Sequence, residues 1–195
     1  MIENPSAYLR HVRDTDRAEF IELMRASKDL HAPWITPPTN FASFNQYMMR
    51  TRTDDHEGFV IARYLDDQIV GVINLNNVVR GSFLSASLGY YVGAPYVGQG
   101  FMAEGLELVK HYAFKTMNLH RLEANIQPTN TRSIALVQRE PVLYSKGCPK
   151  IFYSSTVSGA ITNAGRAWMI ETLCYPRQRL YNPTQVGPHN EHSLW

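Results

Sequence analysis

The chain has 195 residues, 44% of them hydrophobic and 18% charged, and a formal net charge of +2. That length fits one domain with room for an extension, and that apolar share excludes global disorder. Two cysteines exclude a disulfide scaffold, a charge of +2 gives no case for DNA binding, and no apolar run approaches the ~18 residues of a membrane span. The first twenty residues carry Glu3, Arg10, Arg13, Asp14, Asp16, Arg17 and Glu19 and no apolar segment. No secretory signal is therefore expected, and a cytoplasmic protein is.

Tyr8–Val12 reads as a short strand. Asp14 or Thr15 can cap a predicted helix running to about Lys28, with Phe20, Leu23 and Met24 on one face. Pro33, Pro37 and Pro38 break the chain, and a second helix is predicted over Phe41–Arg52. Strands follow at Phe59–Tyr64, Ile69–Asn76 and Phe83–Val92, with turns at Asp66-Asp67 and Gly81-Ser82. A Gly-rich loop, Gly93–Gly100, opens a helix over Phe101–Met117, in which Leu106, Val109 and Ala113 recur at helical spacing. Arg121–Ile126 alternates as a strand, and Asn130 begins a last helix over Ser133–Arg139. The order βα(α)βββαβα gives an α+β or α/β domain with a mixed sheet.

After Arg139 the pattern changes. Residues 1–139 carry 28 charged side chains and residues 140–195 carry 8, with five of the eleven prolines and both cysteines, Cys148 and Cys174, in the second segment. No stretch of 140–195 keeps a helical or strand period for long. Residues 1–139 therefore read as the domain and 140–195 as an irregular tail.

The segment richest in chemistry is Gly89–Gly105, in which a strand ends, a glycine loop follows and a helix starts. Unpaired N–H groups at a helix N-terminus, with the positive end of the dipole, make an anion site. No Lys-Ser/Thr follows the loop, so it is not a nucleotide P-loop.

Val97-Gly98-Gln99-Gly100-Phe101-Met102 resembles the pyrophosphate loop of the GNAT superfamily of N-acetyltransferases. Leu88-Gly89-Tyr90 before it and Ala103-Glu104 after it agree, as do His120–Ala124, Pro128, Asn130 and Ser133 downstream. Asn76–Phe83 is similar to the branch that acetylates ribosomal-protein N-terminal alanines. The resemblance covers about residues 5–139. Val97 departs from the usual Gln or Arg. The resemblance implies a three-layer fold with a mixed, mostly antiparallel sheet flanked by helices, and a cytoplasmic monomer or homodimer with no metal.

It further implies acetyl-CoA as cosubstrate. Tyr91 and Val92 would run beside its pantetheine, and Gly98, Gln99, Gly100, Phe101 and Met102 would hold its pyrophosphate. Asn130 and Ser133 would stand near the cofactor, with Ser133 beside the leaving thiolate or serving as a helix cap. A backbone N–H near Val92 would polarise the thioester. The acceptor is a protein N-terminus, most simply a ribosomal protein's alanine, or a small amine such as a polyamine, amino acid or drug. Residues 1–139 offer no unmistakable general base; Glu123 or a water could serve, against Glu123 being a surface carboxylate. A non-catalytic acetyl-CoA binder or an inactive product is the reading from another class. His189 and His192 share a His-x-x-His spacing without further ligand context.

The family continues with another strand pair, which residues 140–195 do not spell. Back-translated and read from each codon's third base, Ser158–Arg166 permits Trp-Arg-Asp-His-Glu-Arg-Trp-Ala, the motif order the family has there. A shift of reading frame near Arg139–Pro141 is therefore expected, against a lineage-specific tail as the alternative. Coding DNA with codons incompatible with that run would refute it. In the written frame the sheet is expected to lack its last strands and to expose an edge.

Overall fold

The computed structural model describes residues 5–32, 34–139 and 169–174. In chain order they form β1 (Ala7–His11), α1 (Arg17–Ala26), α2 (Lys28–His31), α3 (Phe41–Arg50), β2 (His56–Arg63), β3 (Ile69–Val79), β4 (Ser85–Val92), α4 (Phe101–His111), β5 (Arg121–Ile126), α5 (Thr131–Arg139) and β6 (Met169–Cys174). The six strands lie in one sheet in the order of the chain. Every neighbouring pair is antiparallel except β4 with β5, which is parallel. The expected mixed, mostly antiparallel sheet is thus found.

Period-2 alternation divides the apolar residues between two faces. Phe59, Ile61, Ile73 and Leu75 pack with Leu106, Val109 and Ala113 of the α4 layer. Val60, Ile69 and Val72 pack with Phe20 and Met24 of α1 and Phe44 and Met48 of α3. Helices on both faces complete three layers.

Where boundaries differ from expectation, side chains explain it. Neither Asp14 nor Thr15 caps α1. A 3-10 turn over Asp14–Asp16 comes first, and the Asp16 carboxylate accepts the Arg13 N–H at 2.7 Å. The helix stops at Ala26 because the Ser27 hydroxyl donates to the Leu23 carbonyl at 2.7 Å, a back-bond that bends the helix end. Leu84 sits at φ 44, which delays β4 from Phe83 to Ser85. The helix expected to Met117 is α-helical only to His111; a wider π-type turn spans Tyr112–Thr116.

The tail contributes one strand. The sheet does not end at β5: β6 pairs antiparallel with it, from Arg121 opposite Cys174 to Ile126 opposite Met169. An unpartnered β5 would present a row of free N–H and C=O groups, and six residues of the tail satisfy them. The rest of the tail, with Cys148, His189 and His192, lies outside the described residues.

Among the described residues two histidines are buried, His31 and His56, each 4% exposed. Burial lowers the pKa of both; at His56 the Arg50 charge adds to this and Asp55 opposes it, and at His31 the Val92 carbonyl opposes it. The unfolded chain then takes up protons near the ordinary value of about 6.5, where the folded chain does not, so stability is full above that pH and falls below it. Urea unfolding should show a lower midpoint at pH 5.5 than at pH 7.5. Equal midpoints would contradict this account.

Candidate active site

β4 and β5 pair only from Ser85 opposite Arg121 to Leu88 opposite Ala124. Beyond that point the two strands have no paired register, and a cleft of about 1080 Å³ opens between them. Its walls are the end of β4, the loop Tyr96–Gly100, the first turn of α4, the end of β5, the start of α5, and α2 with Trp34.

The cleft brings together Tyr91, Val92, Gly98, Gly100, Met102, Asn130 and Ser133. Gln99 and Phe101 belong to the same loop but are not cleft-lining. The Gln99 side-chain amide donates to the Pro95 carbonyl at 2.7 Å, and Phe101 is buried edge-on against Tyr96. Glu123 is not among the residues lining the cleft; it lies level with Ser87, where β5 is still paired with β4. Its half-exposed carboxylate meets Arg121 Nε at 3.0 Å.

Gly98 and Gly100 take φ of 78° and 88°, the left-handed region that other residues enter only at a cost. This turns the chain so that α4 begins at the cleft. The first helical bond runs from Glu104 N–H to the Gly100 carbonyl at 3.1 Å. The amides of Phe101, Met102 and Ala103 therefore precede the ladder, at the positive end of the dipole. The nearby acid does not fill this anion site. Glu104 turns to β1, accepting the Ala7 N–H at 3.1 Å and the Ser6 hydroxyl at 2.6 Å.

Across the cleft, Asn130 Oδ1 accepts the Ser133 N–H at 3.1 Å. Asn130 is the cap of α5 and Ser133 is the residue capped. That leaves the Ser133 hydroxyl for Tyr90, whose phenol lies 2.6 Å from it. Tyr90 was not among the predicted site residues, although it stands in the quoted motif directly before Tyr91. On the other face of β4, burial pushes the Tyr91 phenol pKa up, with a hydrogen bond to Asn74 opposing. Tyr47, likewise raised by burial, donates to Asn74 Oδ1 at 2.7 Å. Both phenols remain protonated donors and are no bases.

α2 contributes His31, whose Nε2 donates to the Val92 carbonyl at 2.8 Å and whose ring meets Tyr91 edge-on. The sequence offered no signal for it beyond a histidine before a proline break. Among the described residues lining the cleft, Asp29 is the one carboxylate and Arg132 the one guanidinium. Among the described residues no three His, Cys, Asp or Glu side chains assemble as a metal-holding group, and no helix is long and apolar enough to cross a membrane.

Residues 7–140 match the family model of the acetyltransferase (GNAT) domain. The probable N-acetyltransferase YjcK of Bacillus subtilis is 27% identical over 147 residues, 71% of this chain and 81% of that protein. The ribosomal protein uS5-alanine N-acetyltransferase of Escherichia coli is 43% identical over 74 residues, 38% of each chain. Among solved structures, Mycobacterium smegmatis RimJ in complex with CoA-disulfide superposes with a TM-score of 0.60 at 28% identity, covering 68% of each chain. Spermidine N-acetyltransferase from Vibrio cholerae, in complex with CoA and spermine, gives a TM-score of 0.60 at 17% identity, over 69% of this chain and 79% of that one, a likeness of fold alone.

Proposed function

The chain belongs to the GNAT acetyltransferase family, and on that premise we propose that it transfers the acetyl group of acetyl-CoA to a protein N-terminus, the alanine of a ribosomal protein in the first instance. The observation that carries this reading is the cleft itself: it joins a glycine-turned helix start to a strand end that has lost its neighbour. An anion and an extended arm are the two things such a cleft takes.

Acetyl-CoA supplies an activated acetyl thioester. The amides from Gly98 to Met102 hold its pyrophosphate, and Tyr91 and Val92 lie beside its pantetheine. The Val92 N–H donates to the thioester carbonyl as negative charge grows on that oxygen. The amine nitrogen forms its bond to carbon while the carbon–sulfur bond breaks, and water takes the amine's proton. The Ser133 hydroxyl gives its proton to the departing sulfur and regains one from the Tyr90 phenol, 2.6 Å away, and the proton that water took from the amine restores the phenol.

The acceptor is the finer part of the reading. An α-amine titrates near ~7.7–8.0, so roughly a quarter is neutral at about pH 7.4. A side-chain amine near ~10.4 costs roughly 4 kcal/mol to deprotonate there. A cleft with one carboxylate among its described lining residues and no placed base suits the α-amine. A polyamine carries several cations, for which Asp29 is a single partner. The similarity to the uS5-alanine enzyme supports the same choice.

Calorimetry with acetyl-CoA, then mass spectrometry of an Ala-starting peptide and of spermidine, tests it. Micromolar binding and acetylation of the peptide are expected. Turnover of spermidine in preference to the peptide would replace this acceptor. Gly100→Asp places a negative side chain at the anion site and should weaken acetyl-CoA binding about thirtyfold, about 2 kcal/mol. Unchanged affinity would remove the loop from the binding site.

A further inference from the structure

The end of β4 is held by α1 and α2 rather than by another strand. Gly93 N–H donates to the Val70 carbonyl at 2.8 Å. Alternation along an antiparallel pair then turns the Tyr91 and Gly93 backbone groups toward β3 and those of Val92 away from it. On that outer side β5 has already parted from β4. Two side chains from neighbouring turns take over. Ser27 Oγ accepts the Ala94 N–H at 2.8 Å, and His31 Nε2 donates to the Val92 carbonyl at 2.8 Å. Leu23 closes over Gly93 so tightly that a Cβ there would lie 2.5 Å from its Cδ1. Among the described residues His31 has no other hydrogen-bond partner: its Nδ1 is buried and meets none of them.

A buried imidazole with one nitrogen left unpaired is a costly way to hold a helix. The cost is explained if the bond it makes serves the cleft. We propose that His31 is a positioning residue for acetyl transfer: by fixing the Val92 carbonyl from α2 it holds the Val92 backbone in the orientation the thioester meets. This rests on the reading of Val92 as the thioester contact. The acetyl group then sits between a strand end and a helix that also lines the acceptor side of the cleft through Asp29 and Trp34.

Three proteins test this: wild type, His31→Leu and His31→Gln, whose side-chain amide can restore the donor. Acetyl-CoA is titrated while the Val92 amide resonance is followed by NMR, and kcat is measured with the Ala-starting peptide. The Val92 amide should shift on binding in wild type and His31→Gln and move less than half as far in His31→Leu. kcat should fall about thirtyfold in His31→Leu, less than a lost direct donor costs, with acetyl-CoA KM within threefold, and His31→Gln should recover most of it. Equal shifts and equal kcat in His31→Leu overturn the proposal alone. Failure of wild type to bind acetyl-CoA overturns the functional reading and this proposal with it. If His31→Leu does not fold, the imidazole 15N resonances of wild type decide. A neutral Nε2–H ring whose resonances move with acetyl-CoA supports the proposal; resonances that do not move overturn it.

Discussion

Replacing Ser133 by alanine lowers kcat by about 10²- to 10³-fold and leaves the KM for acetyl-CoA near its original value, because a positioned general acid contributes on that scale. The fold gives a clean background for this measurement. The Ser133 backbone N–H is bonded to Asn130, not to its own side chain, so the α5 cap survives the substitution. Alanine is also the better helix former, and the melting temperature should not fall. What disappears is the hydroxyl that faces Tyr90 across 2.6 Å. Tyr90→Phe keeps that hydroxyl and removes its proton source, so its loss should be about tenfold, less than the 10²-fold or more of a direct general acid, because Tyr90 acts through Ser133. A Ser133→Ala enzyme within threefold of wild type would leave the departing sulfur to be protonated by water.

Asp16→Ala unfolds the protein more easily by about 3 kcal/mol, the usual cost of breaking one partner out of a buried pair. Asp16 is 6% exposed, and its carboxylate accepts both terminal nitrogens of Arg10, at 2.7 and 2.9 Å, and the Arg13 N–H. The Arg10 side chain is 11% exposed, so when the carboxylate is gone its charge stays largely buried with only a long bond to the His11 carbonyl, at 3.4 Å, and the more distant Tyr8 and Asp67 in place of its bidentate partner. An arginine keeps its proton at any accessible pH even without Asp16, so no pH change relieves that charge. Against a typical domain stability of ~5–15 kcal/mol the loss is a large fraction. A urea midpoint shift worth less than about 1 kcal/mol would mean that water reaches Arg10 and replaces its partner. Arg10→Met with Asp16→Leu, which removes both charges, should recover most of the stability.

The sequence by itself determined β1, α1 and the elements from α3 to α5, though not α2, because periods of 2 and 3.6 are written within a few residues of each position. β5 was legible to the residue, and so was the strand-loop-helix of Gly89–Gly105, since left-handed turns and helix starts draw on local residue types. The motif placed Tyr91, Val92, Gly98, Gly100, Met102, Asn130 and Ser133, which the structure gathers along one cleft. Tertiary structure decided the remainder, because those contacts join residues far apart in the chain. Ser133 meets Tyr90 across 43 positions and His31 meets Val92 across 61. Glu104 reaches β1 across 97, turning an acid away from the anion site. Glu123 was a candidate base weighed against a surface carboxylate; it lies on the paired part of β5, and only the register against β4 tells the paired part from the parted one. β6 was invisible for the same reason. Its pairing is specified by the open edge of β5, and a strand whose partner supplies its hydrogen bonds needs little periodicity of its own.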